Sequence, residues 1–425
     1  MNKDILNDIT INLGNGFVKI SDNIKLDNKK NIAIKDIHSN IFFPTTVCSK
    51  ILENYTAPFN STVVENLLKH NFNIIGTTNM DEFAMGSTTR NSVYGPTDNA
   101  YNSELVPGGS SGGSAYVVAK GFVDYATGTD TGGSVRQPAA YNGIYGMKPT
   151  YGLISRYGTV SFASSFDTMG SLTKTLEQNM ELLECLVSND EKDQTNFVPK
   201  DFNIRKTLNN SIKGMRIGVM IDWLKEIDPE IKTAILEQIE NLKKLGAEIV
   251  EIKIPLTKYS FELYMVLAYS EASSNLSRYD GFRYGYSCND YKKTRSLFGE
   301  EVKKRLIIGS YFLSSENALK YFDKALKLRK KMENDFLEKF KEVEVIIGPT
   351  TPNLPFKKEE TMNSKNNYLS DEFVIPANLV GFPSLNIPIG FTKENLPIGM
   401  QIMSWKYNEH LIYQVANNLK GDNNE

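Results

Sequence analysis

Histidine is scarce: His38, His70 and His410 are all that the 425 residues supply. Cysteine is equally scarce, and Cys48, Cys185 and Cys288 are scattered without a CxxC pair or a Cys/His cluster. Such spacing offers no zinc-ligand set and fits a reducing compartment. No run of about 18 apolar residues occurs, so no membrane span is expected. The opening stretch "MNKDILNDITINLGNG" is mixed in charge. It lacks both the apolar centre of a signal peptide and the Arg-rich, acid-poor character of a transit segment. Neither sign of charge is in excess: 48 Lys and Arg stand against 50 Asp and Glu, a formal net charge of −2. That balance argues against this chain alone gripping a nucleic acid. A cytoplasmic protein is expected, with the mitochondrial matrix or another organelle as the alternative.

What is present suits a large packed core, since 40% of residues are hydrophobic and 23% charged. The first 30 residues, rich in Asn, Asp and Lys, read as an irregular arm. "NIAI" (31–34) reads as a buried strand ending at Lys35. "STVVENLLKHN" reads as a helix with Thr62 and Glu65 spaced as a capping box, and "FNIIG" as the next strand. The polar segment 188–203 is expected to be an exposed loop. "MRIGVMI", a helix opened by Asp228-Pro229 and closed at Gly246, and "EIVEIKI" then repeat the rhythm. A long helix is expected over about 315–341, followed by the buried strand "VEVIIGP". Strands alternating with helices indicate α/β layering on a mainly parallel or mixed sheet.

The chemistry concentrates in residues 106–140, "VPGGSSGGSAYVVAKGFVDYATGTDTGGSVRQPAA". Glycine-rich turns between buried strands have a plain structural explanation, although two such turns, each presenting serine, weaken it. Phosphate binding is disfavoured: there is no GxxxxGK[ST] string and no GxGxxG in the block. Acyl transfer by a serine remains. Ser110 and Ser111 both satisfy GxSxG, but that pattern expects a later histidine. Only His410 follows, in what reads as an amphipathic terminal helix. "GTDTGGSVRQPA" offers a better nucleophile, since the amides of Thr131, Gly132, Gly133 and Ser134 converge on a developing oxyanion if the loop turns tightly. A desolvated lysine is the obvious base, because burial disfavours its charged form. Lys35 sits at the end of an apolar run, although a strand-end lysine is ordinarily exposed.

"IAIKD", "GTTNMDEFAMGS", "VPGGSSGGSA", "GTDTGGSVRQPAAYNGIYGMKPTYGLISRYG" and "FASSFDTMGSLTKT" resemble, in order and spacing, the amidase signature enzymes. The resemblance implies a Ser–cis-Ser–Lys triad, with Ser134 as nucleophile, Ser110 as the bridging serine and Lys35 as base. Ser111, Asp130 and Gln137 fall in the same matching segments as supporting residues. It implies no metal site. It implies one large domain over 31–425, a mixed β-sheet covered by helices on both faces, with residues 1–30 as the arm.

"YSEASSNLSRYDGFRYG", "EVKKRLIIGSYFLS" and "YLSDEFVIPANLVGFPSLNIPIG" resemble one branch of that family, the glutamine-hydrolysing A subunits of glutamyl-tRNA(Gln) amidotransferases. This implies B and C partner subunits and ammonia delivery to the B subunit. Glu-tRNA(Gln) would be held mainly by the partner, and no cofactor would sit on this chain, with ATP and Mg on the partner. By motif, Arg305 and Asp371 would pair with the α-carboxylate and α-ammonium of free glutamine, and a pocket tyrosine maps to Tyr264. A stand-alone amidase acting on simple amides is the alternative. Several features depart from the branch: the arm before Lys35 is shorter by tens of residues, "IKDIHSN" stands where "IKDNI" is usual, and a short piece is missing around 286–292.

Overall fold

The computed structural model describes residues 11–22, 30–288, 290–360 and 369–420, together with Ile9. One eleven-stranded sheet runs through it in the order β1-β3-β2-β4-β6-β5-β10-β11-β9-β7-β8. The strands are β1 (Phe17–Ile20), β2 (Lys30–Lys35), β3 (Phe72–Thr78), β4 (Tyr125–Asp130), β5 (Tyr145–Lys148) and β6 (Thr168–Thr173). They continue with β7 (Arg216–Met220), β8 (Glu248–Ile252), β9 (Val345–Pro349), β10 (Ser384–Phe391) and β11 (Pro397–Met403). β2 runs parallel to β3 and β4, and β7 parallel to β8 and β9, while the centre from β4 through β9 pairs antiparallel. The sheet is therefore mixed.

Helices cover both faces. On one side α1 (Thr62–Lys69), α4 (Leu176–Leu186), α5 (Pro229–Lys244) and α10 (Glu409–Lys420) share a core with Ile32, Ile34, Met169 and Leu385. On the other, α2 (Gly112–Ala119) and α3 (Arg136–Tyr141) pack on Ala33, Ala126 and Leu172. The same side holds α6 (Ser260–Asn275), α7 (Glu300–Leu313), α8 (Asp323–Lys339) and α9 (Ile375–Val380), over Met220, Ile346 and Met403. Side chains alternate along a strand, so Ile32 and Ile34 enter one core and Ala33 the other. Lys35 continues the Ala33 face, which turns it toward the start of α2.

Three local expectations are corrected. The arm is not irregular throughout, because Phe17–Ile20 forms β1, antiparallel to β3, with Phe17 only 1% exposed. Burying a phenylalanine contributes roughly 1.5–3 kcal/mol, which adds to the ladder with β3 in holding this short edge strand. The cap of α1 is Ser61, whose hydroxyl accepts from the Val64 N–H, while Thr62 donates its hydroxyl to Asp190. The long helical stretch near 315–341 is interrupted by a π turn at Ala318–Phe322 before α8.

Residues 188–203 contain no helix or strand and lie mostly on the surface. They are tied down by Asp190, which accepts from Ser155, and by an ion pair between Asp193 and Arg156 at 3.0 Å. Among the described residues no helix is long and apolar enough to cross a membrane.

Candidate active site

The end of β2, the loop into α2 and the turn after β4 meet at the C-terminal ends of these two neighbouring strands. Lys35 is completely buried there, and its Nζ lies 2.7 Å from Ser110 Oγ, 2.9 Å from Ser111 Oγ and 2.8 Å from Thr129 Oγ1. Its backbone N–H donates to Thr127 Oγ1 at 3.0 Å, which fixes the strand end as well as the side chain. Burial lowers the Lys35 pKa from 10.5 to about 7, against the opposing pull of the Asp81 and Asp130 charges. A neutral amine at neutral pH is what a general base requires. The Gly109–Ser110 peptide is cis. Ser111 N–H donates to the Ser134 carbonyl at 3.2 Å, joining the two serine-bearing loops.

Gln137 fixes the first of these loops. Its Oε1 accepts from Gly109 N–H at 2.9 Å, and its Nε2 donates to the Ser87 carbonyl at 3.0 Å. Asp130 fixes the second. Fully buried, it pairs with Arg136 at 3.0 Å and also accepts from the N–H groups of Gly133, Val135 and Arg136 and from Asn378. Burial pushes the Asp130 carboxyl up, but the Arg136 guanidinium outweighs it and holds it well below the usual carboxylate range.

This arrangement corrects the expected set of oxyanion donors. The Gly133 N–H is spent on Asp130 Oδ1 at 2.9 Å, so it is not available to a ligand. The amides of Thr131, Gly132 and Ser134 make no bond to any of the described residues. Both glycines are needed as glycines. A Cβ on Gly132 would stand 2.8 Å from the Tyr264 ring, and one on Gly133, at φ +113°, 2.1 Å from Val374.

A small cleft is lined by Ser87, Asn91, Tyr269, Glu301, Arg305 and Asp371. A Cβ on Gly133 would lie 3.8 Å from Asp371 Oδ1, so this carboxyl stands between the cleft and the glycine loop. Asp371 Oδ1 is buried without a hydrogen-bond partner among the described residues, and burial raises its pKa to about 7. Arg305 is 8% exposed. Its Nε donates to Glu301 at 2.8 Å, and its guanidinium stacks 4.9 Å from the Tyr269 ring. Arg305 and Asp371 are thus brought together. Tyr264 is not in this cleft: it is buried behind Gly132, with its ring 6.1 Å from Phe166. The Tyr264 ring meets Tyr269 edge-on at 6.4 Å, and it is Tyr269 that stacks directly on Arg305.

Sequence reasoning misses Thr129, Asp81 and Arg136. Asp81 accepts from the N–H groups of Thr88, Thr89 and Asn91 and shapes the turn that carries Ser87. "NMDEFAMGS" holds the only signal for it, and nothing local in "GTDTGG" marks Thr129 as a partner of Lys35. The histidines take no part. His38 is buried against Thr159, with burial lowering its pKa to about 3, and His410 lies on α10.

Residues 31–413 match the family described as Amidase. The A subunit of glutamyl-tRNA(Gln) amidotransferase from Sulfurihydrogenibium is 47% identical over 91% of this chain and 81% of its own length. Its counterpart from Streptococcus suis is 45% identical over the same shares. Among solved structures, the corresponding A subunit from Thermotoga maritima superposes with a TM-score of 0.85 at 38% identity, covering 97% of this chain and 89% of that one.

Proposed function

The chain belongs to the amidase family, and from that premise we propose that it is the glutamine-hydrolysing A subunit of a glutamyl-tRNA(Gln) amidotransferase. The observation that carries this reading is the pair Arg305 and Asp371, one cation and one carboxylate lining a single cleft, with Asp371 also next to Gly133. A simple amide has no use for either group. The α-carboxylate of glutamine pairs with Arg305 and its α-ammonium with Asp371. The relatives that share 45–47% of their residues with this chain bear the name of that subunit.

In the proposed mechanism neutral Lys35 takes a proton from Ser110 as Ser110 takes one from Ser134. The Ser134 oxygen then attacks the side-chain amide carbonyl. The amides of Thr131, Gly132 and Ser134 receive the negative charge that develops on the carbonyl oxygen. Collapse of the tetrahedral intermediate breaks the C–N bond, and protons return through Ser110 to the leaving ammonia. Water, activated through the same relay, releases glutamate from the acyl-enzyme. Ser111 and Thr129 hold the amine of Lys35 on line, while Asp130 and Gln137 hold the two serine loops.

Ammonia passes to a B subunit, where ATP and Mg serve the amidation of glutamate on tRNA, and a small C subunit completes the assembly. With a net charge of −2, this chain leaves most of the tRNA contact to the partner. The test is ammonia release from glutamine by the chain, alone and with B and C subunits and glutamyl-tRNA, with Ser134→Ala as the blank. Turnover that rises with the partners and vanishes in Ser134→Ala supports the reading. Hydrolysis of simple amides by the lone chain, indifferent to Arg305 and Asp371 substitution, would instead make it a stand-alone amidase.

A further inference from the structure

Asp167 lies outside every residue given a role above, yet it is 6% exposed and bonded to the glycine loop. Its Oδ1 accepts from the Thr131 hydroxyl at 2.8 Å and from Ala163 N–H at 3.2 Å. Its Oδ2 accepts from Phe162 N–H at 2.9 Å and from the Ser161 hydroxyl at 3.3 Å.

The segment that carries Asp167 is itself fixed to the helices. Asn275 on α6 donates to the Phe162 carbonyl at 3.1 Å, and Ser165 N–H donates to Glu271 on the same helix at 2.9 Å. Arg329 on α8 donates to the Ser165 carbonyl at 3.0 Å and to the Leu379 carbonyl at 2.7 Å, and it lies 4.3 Å over the Phe166 ring. The carboxylate is therefore a fixed point against which the loop can be registered.

Asp130 grips that loop only from Gly133 onward. Thr131 and Gly132 supply two of the three amides left for a ligand, and the Gly132 N–H belongs to the peptide unit that begins at the Thr131 carbonyl. Rotation at Thr131 would swing this N–H away from the position of the oxyanion. Among the described residues, the only side-chain bond that restrains Thr131 is the one to Asp167.

We propose that Asp167 is a positioning residue of the oxyanion-binding loop, setting the direction of the Thr131 and Gly132 amides through the Thr131 hydroxyl. The proposal rests on the reading of Ser134 as the nucleophile. Asp130 and Asp167 then form two clamps on one turn, which leaves the donors between them preorganised rather than free to relax.

Thr131→Val keeps the branched shape and removes only the bond to Asp167. In the full assembly it is expected to lower kcat for glutamine hydrolysis on the order of 10- to 100-fold, the scale of a misdirected oxyanion donor. KM should stay within about twofold, because Arg305 and Asp371 are untouched. Thr131→Ser, which restores the hydroxyl, should recover most of the lost kcat. Asp167→Asn is the second variant, and it too should lower kcat with KM held. Thermal midpoints identify any variant that fails by unfolding. Parental kcat in Thr131→Val, or a loss that Thr131→Ser does not recover, overturns the proposal alone. Activity persisting in Ser134→Ala, run in parallel, overturns the nucleophile assignment and this proposal with it.

Discussion

Lys35 Nζ and Thr129 Oγ1 stand 2.8 Å apart in a space with no solvent access, so the hydroxyl is one of the few groups that can accept from the lysine when it is charged. In its proposed role as general base Lys35 must be neutral, and burial lowers its pKa to about 7. kcat at saturating glutamine, where Asp371 is already paired with the substrate ammonium, is therefore expected to rise as pH increases through about 7. Thr129→Val withdraws an acceptor from the ammonium form and should move that acid limb to lower pH. A limb that stays in place in the variant would show that Thr129 does not tune the base.

The same group also leaves a signature on stability. Lys35 titrates at 10.5 when unfolded and near 7 when folded, so between those values the unfolded chain holds the extra proton. Stability at this site is lowest below pH 7 and rises with pH up to about 10.5. Lys35→Met removes the dependence. In urea melts the advantage of the variant over the parent should be greatest below pH 7 and shrink as pH climbs; an advantage independent of pH would show that Lys35 is charged in the fold.

The proposed base and serines are reached from the sequence through short contiguous segments that resemble a family. By local pattern alone the glycine loops point to a serine, but a strand-end lysine such as Lys35 reads as exposed, and its complete burial is a property of the fold. What is not legible depends on pairs far apart in the chain. The bond between Thr131 and Asp167 spans 36 residues, and that between Lys35 and Thr129 spans 94. Neither has a spacing rule. Sequence shows which amides are near one another, not which one a carboxylate has already claimed, and so it counts Gly133 among the oxyanion donors. β1 escapes the same reading because a four-residue edge strand owes its form to β3, not to its own composition.

The buried pair of Asp130 and Arg136 is expected to carry stability as well as geometry. Both side chains are 0% exposed, and either one alone would be an uncompensated charge in the core. Asp130→Asn should cost about 3–5 kcal/mol in urea denaturation, as breaking a buried pair does, and should also abolish turnover by freeing Gly133 and its neighbours. A stable variant that is inactive would separate the two roles; a stable and active one would show the clamp to be dispensable.

Tyr264 and Gly132 make a contact that double substitution can test. Gly132→Ala drives a methyl to 2.8 Å from the Tyr264 ring, so either the ring or the amide-bearing loop must yield. kcat is expected to fall steeply in Gly132→Ala. Tyr264→Ala makes room at the expense of a cavity, and in the double variant kcat should recover in part, with a coupling of about 0.5–3 kcal/mol. Additive losses would mean that the methyl acts by blocking the oxyanion position itself.

Asp371 offers a calorimetric test of substrate placement. Its Oδ1 has no partner among the described residues, and burial holds the carboxyl near pH 7, so at pH 6.5 much of it is protonated. An ammonium group placed against it favours the ionised form, which lowers the pKa and expels the proton. Titrating glutamine into the Ser134→Ala enzyme at pH 6.5, in buffers of different ionisation enthalpy, should therefore show net proton release. The release should diminish toward pH 8.5, where the carboxylate is already ionised. Asp371→Asn should abolish the release and raise KM, with a smaller effect on kcat. If protons are released equally in parent and Asp371→Asn, the ammonium of the substrate lies elsewhere and Arg305 alone orients it.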